Sequence, residues 1–217
     1  MATPTTLRLV ARGWDWRLWF WWTLVSVLGN ATIVPLGHIE DTLYQMVHGI
    51  PISGAPLSLL DLAVPWGLPG ALIGLGWWAI LRTRIPLTGW SVAWWVAGGF
   101  LLSYCPLFNF EDTGDITGQA VFAGVVAGIA GLVAGFVQAI GLYRHVSWAW
   151  AWMFIIAVGC WLGWTIDIYA EGTLLVRYVG EYNAGNAGNA GYAASGVLIG
   201  LIVAWLMPRR LHADAQA

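Results

Sequence analysis

The sequence predicts an all-α fold: an integral membrane bundle of six transmembrane helices. Three observations support it. The chain of 217 residues is 59% hydrophobic and only 9% charged, its charges separate six long apolar runs, and its arginines fall on one side of the resulting arrangement. Soluble domains carry about 25% charged residues, so a chain this apolar has too few polar side chains to cover its surface in water. The expected partner is the lipid bilayer, and no nucleic acid is expected.

The six spans follow from the length of the apolar runs. A bilayer core requires about 20 apolar residues per helix, and the chain offers six such runs within a single domain, 1–217. The predicted spans are 14–36, 62–81, 88–108, 118–143, 148–170 and 190–207. A seventh run, 42–60, contains Pro51 and Pro56, so we assign it to an outer loop, 37–61, as an interfacial or re-entrant segment.

The distribution of arginine predicts the orientation. The chain has no lysine, and with six spans all but one of its arginines fall on one side. Those on that side are Arg8, Arg12, Arg17, Arg82, Arg84, Arg144, Arg209 and Arg210. Cytoplasmic loops attract Arg and Lys, so this side is expected to be cytoplasmic, with both termini and the tail 208–217 inside. The first apolar run is too long for a signal-peptide core and is taken as an uncleaved helix.

An internal repeat is visible in the glycine positions. At an offset of 61 residues, helices 2–3 align with helices 4–5, and at an offset of 126 the segment GALIGL (70–75) aligns with GVLIGL (196–201). Gly29 of helix 1 can be placed on Gly98 of helix 3. The pattern predicts three helical hairpins, 2–3, 4–5 and a split one made of 6 and 1, related by an axis along the membrane normal.

The repeat carries a resemblance. The segments GLVAGFVQAIGLYRHVSWAWAW (131–152) and GALIGLGWWAILRTRIPLTGW (70–90) resemble uncharacterised Trp- and Gly-rich polytopic membrane proteins of bacteria, which have a repeated Gly-x3-Gly-Leu-x-Gln-Trp-x2-Leu-Arg hairpin. Here Gln138 stands in one copy and Trp77 near the matching place in the other. The resemblance covers helices 2–5 and part of helix 6. It supports the fold class only and carries over no function and no catalytic residue. We expect a multi-pass protein of the bacterial cytoplasmic membrane.

Glycine and tryptophan are the two unusual residues of the spans. Glycines four residues apart, such as Gly70 and Gly74, let helix backbones approach closely, which we interpret as packing within the bundle, with a homo-oligomer seam as the alternative. Twelve of the 17 tryptophans lie toward the arginine side: Trp14, Trp16, Trp19, Trp21, Trp22, Trp77, Trp78, Trp90, Trp148, Trp150, Trp152 and Trp205. We interpret them as an aromatic belt at the headgroup level; a platform for a pigment, a quinone or a partner subunit is the alternative.

Polar groups inside the spans are few. Asp167 lies near the outer end of helix 5 with Glu171 one turn later, and Gln138 lies near the inner end of helix 4. Because ionisable groups within spans usually mark ion or solute pathways, these three are the candidate pore or polar site. A common wall formed by Ser26, Ser91, Ser103, Thr165, Gln138 and Asp167 would favour a pore.

The outer loops contain the candidate metal ligands. They are His38, Glu40, Asp41, His48, Asp112 and Asp115. Histidine and carboxylate together suit zinc or manganese, but solvated surface acids are the simpler interpretation. The triplet repeat NAGNAGNAG, at 183–191, is predicted to be a flexible outer loop, since Asn and Gly favour turns.

Two functions remain open. The first is a non-catalytic membrane component, such as an accessory or scaffolding subunit, with other membrane subunits or a second copy as partner. The second is a passive transporter or channel for a small solute or cation. A membrane enzyme would require the outer histidines and carboxylates to meet on a metal. The sequence has no catalytic motif, and no cofactor is expected.

Overall fold

The computed structural model describes residues 14–32, 39, 42, 45–46, 67–103, 115–170 and 190–214. This part of the chain contains six α-helices and no strand, so the all-α prediction is confirmed. The helices are α1 (Trp16–Ala31), α2 (Leu68–Arg82), α3 (Ser91–Leu102), α4 (Ile116–Leu142), α5 (Ala151–Ala170) and α6 (Ala190–Asp214). Each overlaps one predicted span, and α6 continues beyond the expected end at 207 into the predicted tail.

Two of the helices are long and apolar enough to cross a membrane, namely Ile116–Leu142 and, within α5, Ala151–Tyr169. The described parts of α2 and α3 and the segment Ala193–Met207 of α6 are apolar but shorter. Among the described residues, the membrane-spanning character therefore rests on length and composition for α4 and α5.

The helices pack as a closed ring. Each one lies against the helix before it and the helix after it, and α6 packs against α1 to close the circle. The α6–α1 contact joins the two ends of the sequence. This arrangement leaves one face of every helix toward the centre of the ring and one face toward the outside.

The helix ends are fixed by specific local interactions. Asp15 caps α1 by accepting a hydrogen bond from the Leu18 N–H at 3.0 Å, and Asp115 caps α4 by accepting from the N–H groups of Thr117 and Gly118. Such caps satisfy N–H groups that have no partner within the helix. At the start of α2, Pro69 takes one of the first helical positions, where its missing N–H costs nothing.

Pro208 does not end α6. A proline inside a helix leaves the carbonyl four residues earlier without its donor, which here is the carbonyl of Ala204. The backbone N–H of Asp15 donates to this oxygen at 3.3 Å. The start of α1 therefore supplies the hydrogen bond that the proline cannot, and the helix continues to Asp214.

The distribution of side-chain size is the reverse of that in a soluble helix bundle. On α4 the buried residues are mainly alanine and glycine, with Gln138 and Leu142, while large apolar side chains are exposed. The exposed ones on this helix are Val121, Phe122, Val125, Ile129, Val133 and Phe136. Contiguous exposed apolar surface of this kind marks a protein or membrane contact.

The small residues bring the helices together. A Cβ atom built on Gly70 would overlap the carbonyl oxygen of Gly99, and one on Gly135 would lie 2.6 Å from the Cα of Met153. Similarly, a Cβ on Gly196 would overlap Ser26. The interpretation of these glycines as packing positions within the bundle is confirmed.

Candidate functional site

Tryptophan rings from four helices meet inside the ring of helices. Trp22 of α1 stacks on Trp77 of α2, with ring centroids 4.7 Å apart and planes 18° apart. Trp152 of α5 contacts Trp22 edge-on at 5.7 Å and Trp95 of α3 at 5.2 Å. Because α5 is not a neighbour of α1 or α3 in the ring, these contacts cross its centre. We call Trp22, Trp77, Trp95 and Trp152 the tryptophan core.

Two side-chain hydrogen bonds orient this core. The indole N–H of Trp152 donates to the Oε1 of Gln138 at 2.8 Å, and that of Trp77 donates to the Oγ of Ser26 at 3.1 Å. The Ser26 hydroxyl in turn donates to the Trp22 carbonyl at 2.9 Å. Two of the four indole N–H groups therefore have a hydrogen-bond partner. A buried tryptophan usually needs such a partner for its N–H group.

Other donors in the same region remain without a hydrogen-bond partner. They are the indole nitrogens of Trp22, Trp95 and Trp148 and the Nε2 of Gln138. All four side chains are at most 8% exposed. Their burial brings large favourable apolar contact, which offsets the desolvation cost of the N–H groups.

The aromatic-belt interpretation is wrong for part of the predicted set. Trp22, Trp77, Trp148 and Trp152 were expected at the headgroup level, but they are buried. Five others of that set are exposed: Trp16, Trp21, Trp90, Trp150 and Trp205. The remaining three, Trp14, Trp19 and Trp78, are partly exposed. The set is therefore divided between the interior of the bundle and its surface.

The polar side chains whose placement on a common wall would favour a pore lie in separate helix contacts. Ser26 bonds to α2 through Trp77, and Ser91 accepts a hydrogen bond from Trp78 of α2. Ser103 lies at Gly70 of α2, and Thr165 at Gly124 of α4. Gln138 accepts a hydrogen bond from Trp152 of the tryptophan core. These positions do not form one continuous polar surface.

Polar burial also occurs toward the ends of the helices away from the arginine side. Asp167 of α5 is 7% exposed, Asn30 of α1 is 6% exposed and Ser195 of α6 is 2% exposed. Ser195 lies against Gly163, one turn before Asp167 on the same face of α5. Asn30 follows Ser26 by one turn, and Ser26 lies against Gly196. Asp167 and Asn30 thus each lie one turn beyond a contact that α6 makes, with α5 and with α1 respectively.

Most residues predicted in the outer loops lie outside the described part of the chain. This holds for the candidate ligands His38, Glu40, Asp41, His48 and Asp112, for Glu171, and for residues 183–189 of the triplet repeat. Asp115 is described and serves as the cap of α4. Within the described residues, no three His, Cys, Asp or Glu side chains come together as a metal site.

The structure adds two residues that the sequence reasoning did not single out. Trp95 joins the tryptophan core at 0% exposure, and Asn30 of α1 is buried at 6% exposure. A signal for Asn30 is present in the sequence, since Ser26 and Asn30 are four residues apart and lie on one face of α1. Nothing in the local sequence distinguishes Trp95 from its neighbour Trp94.

Comparison with known proteins gives one distant similarity. No family model matches the chain, and no solved structure matches it. The chain is similar to the nodulation protein NolL of Mesorhizobium japonicum, with 25% identity over 162 residues. The matched region is 72% of this chain but 38% of that protein, so the chain spans well under half of its relative's length. A match of this extent does not assign the chain to a family.

Proposed function

We propose that the chain is a six-span integral membrane protein with both termini in the cytoplasm, and that it acts as a non-catalytic component of a membrane assembly. The observation that supports it best is the tryptophan core, because aromatic rings from α1, α3 and α5 contact one another across the centre of the helix ring. A bundle filled in this way is suited to a structural role.

The outer surface supports a lipid environment. Helix α4 exposes Phe122, Ile129 and Phe136 while it buries alanine and glycine, and α5 exposes Phe154 and Trp161. The basic side chains of Arg17, Arg82, Arg84 and Arg144 lie at helix ends or in turns. Lipid-exposed apolar faces with charges restricted to the ends are what a spanning bundle requires.

Three sets of equivalent contacts support the repeat of hairpins. A Cβ atom on Gly29 would overlap Ile73, one on Gly98 would lie 2.8 Å from the carbonyl oxygen of Ala134, and one on Gly159 would overlap Ile199. Ala134 lies 61 residues after Ile73, and Ile199 lies 126 residues after it. These separations are the two offsets of the sequence repeat. Each of these glycines therefore joins one hairpin to the next at the corresponding position, as expected for repeats around an axis along the membrane normal.

The arginine-side end of the bundle is filled as well. Ile85 and Leu87, from the turn between α2 and α3, and Val146, from the turn between α4 and α5, are at most 5% exposed. Their apolar side chains belong to the same buried cluster as the tryptophan core. An apolar interior that continues to this end favours the component over the channel.

The alternative function, passive transport of a small solute or cation, draws support from the outer ends of the helices. Asp167 and Asn30 bury polar groups beside the start of α6, and buried ionisable groups within spans mark ion pathways. Reconstituted protein distinguishes the two functions. We expect cation flux into liposomes to equal that of protein-free liposomes, whereas flux that Asp167→Asn abolishes would establish transport.

A topology experiment tests the membrane part of the proposal. In a variant lacking Cys105 and Cys160, a single cysteine would replace Gly89 in the turn after α2 or Thr113 in the segment before α4. An impermeant maleimide on intact cells should label Thr113→Cys and should label Gly89→Cys only after permeabilisation. Labelling of Gly89→Cys in intact cells would contradict the orientation.

The component function is tested by identifying the molecules that remain bound to the extracted protein. Native mass spectrometry of the tagged chain, extracted gently from its own membrane, should detect a discrete added mass in a fixed ratio. A tagged unrelated multi-pass protein from the same membrane is the control. A bare monomer would contradict the component function.

A further inference from the structure

A groove lies on the arginine side of the bundle, where the hairpin α2–α3 meets the hairpin α4–α5. Its volume is about 250 Å³, and its walls come from the start of α3 and the end of α4 with the turn that follows. Pockets for drug-sized ligands usually measure about 300–1,000 Å³. The space therefore suits a small group such as a headgroup rather than a large cofactor.

The charge of the groove is positive. Arg144 and His145 line it, and no acidic side chain does. Among the described residues, the ion pair found is the 2.9 Å contact between Arg84 and Asp15. Arg84, in the turn after α2, thus has a carboxylate to neutralise it, whereas Arg144, in the turn after α4, has none within the described part of the chain.

The guanidinium of Arg144 is held in place at one edge. Its Nε donates to the Tyr143 hydroxyl at 2.6 Å, and its carbon atom lies 5.3 Å from the centre of the Tyr143 ring. These contacts occupy one N–H and leave the two terminal nitrogens as donors. Arginine in this state presents a paired donor group that matches the oxygens of a phosphate.

The mouth of the groove is aromatic and apolar. Trp90 is 76% exposed and Tyr143 is 48% exposed, and Trp94 and Ile140 form the adjoining wall. Exposed tryptophan and tyrosine favour the boundary between headgroups and acyl chains. The groove therefore combines a cationic end with an apolar side, as a ligand with a charged head and a hydrocarbon body would require.

We propose that this groove binds the phosphate-bearing headgroup of an anionic phospholipid from the cytoplasmic leaflet. Arg144 contacts the phosphate, and Trp90 and Ile140 contact the glycerol and the first carbons of an acyl chain. The proposal rests on the membrane orientation given under Proposed function, which puts the arginine side in the cytoplasm. Basic pockets between helices on this side bind anionic headgroups in other membrane proteins.

The test is native mass spectrometry of the purified full-length chain in detergent, titrated with phosphatidylglycerol or with phosphatidylcholine of the same acyl chains. The variant is Arg144→Gln, and the matched control is Arg82→Gln, at the end of α2 one hairpin earlier. We expect phosphatidylglycerol to bind wild type more tightly than phosphatidylcholine does. Arg144→Gln should weaken phosphatidylglycerol binding about five- to tenfold, with Arg82→Gln changing it less than about twofold.

Three results would overturn the proposal. An equal loss in both variants would show a general attraction to the basic face rather than a site. Equal affinity for the two lipids would show that charge is not recognised. Displacement of phosphatidylglycerol by millimolar inorganic phosphate alone, with the same dependence on Arg144, would assign the groove to free phosphate.

A separate experiment distinguishes failure of the six-span proposal from failure of the lipid-binding proposal. Alkaline carbonate treatment of the host membranes releases peripheral proteins and leaves integral ones behind. Release of the wild-type chain would reject the six-span proposal itself. Retention of the chain without a preference for phosphatidylglycerol would reject the groove alone.

Discussion

The indole N–H of Trp152 donates to the Oε1 of Gln138 at 2.8 Å, and this bond joins α5 to α4 inside the tryptophan core. Both side chains are fully buried. The backbone of α3 comes close to the same amide, since a Cβ on Gly98 would lie 2.5 Å from the Cγ of Gln138. One carboxamide thus lies where three helices meet.

Replacing this amide should destabilise the bundle. Gln138→Leu preserves most of the volume but leaves the Trp152 N–H buried without an acceptor, which costs about 1–3 kcal/mol. For a chain of this size the melting temperature in detergent should fall by roughly 2–4 °C per kcal/mol.

A double-mutant cycle isolates the bond itself. Trp152→Phe removes the donor, so Gln138→Leu should cost about 1 kcal/mol less in the Trp152→Phe background than in wild type. Additive effects of the two substitutions would mean that the hydrogen bond contributes nothing measurable to stability.

The three glycines that join successive hairpins should all be sensitive to alanine. A methyl group at Gly98 meets the Ala134 carbonyl oxygen at 2.8 Å, and this backbone atom is fixed by the helix. At Gly29 and Gly159 the built Cβ would overlap the Cγ1 of Ile73 or Ile199, and a β-branched side chain in a helix has one strongly preferred χ1 rotamer. We expect each of the three substitutions to cost about 1–3 kcal/mol, the range for overpacking.

Gly89→Ala is the control for this series. Nothing lies within 4 Å of a Cβ built at Gly89, so thermal unfolding of that variant in detergent should match wild type. If Gly98→Ala were as stable as Gly89→Ala, the α3–α4 contact would be looser than the structure indicates.

The positions of the described helices could be predicted from the sequence, whereas their rotation could not. Charged residues interrupt the apolar runs, and their positions along the sequence locate α1 and α4 within a few residues. The rotation of a helix about its own axis decides which of its side chains are buried. Trp21 is 54% exposed and its neighbour Trp22 is 0% exposed. In a helix with apolar residues on every face, hydrophobic periodicity carries no information on which face points inward.

The same limit explains why the tryptophan core was not foreseen. Its contacts join α1, α3 and α5, and they depend on how the closed ring brings distant segments together. The glycine pattern was more informative, because a missing side chain at four-residue spacing predicts close approach whatever the neighbour is. Gly70 and Gly74 therefore indicated a contact without indicating that Gly99 and Trp95 form it.

Asp15 performs two tasks that substitutions can separate. Its carboxylate caps α1 through the Leu18 N–H and pairs with Arg84, with side chains 19% and 38% exposed. Asp15→Asn retains a good capping oxygen but loses the charge, so it should cost no more than about 1 kcal/mol. Asp15→Ala loses both and should cost a further 0.5–2 kcal/mol, roughly.

Arg84→Gln completes this comparison, because it removes the ion pair and leaves the cap intact. Its melting temperature in detergent should match that of Asp15→Asn, and Arg82→Gln should match wild type more closely, since Arg82 contacts the ring of Trp78 rather than an acid. If Asp15→Asn were as unstable as Asp15→Ala, the charge would outweigh the cap. The Asp15–Arg84 pair would then be the stronger link between the start of α1 and the turn after α2.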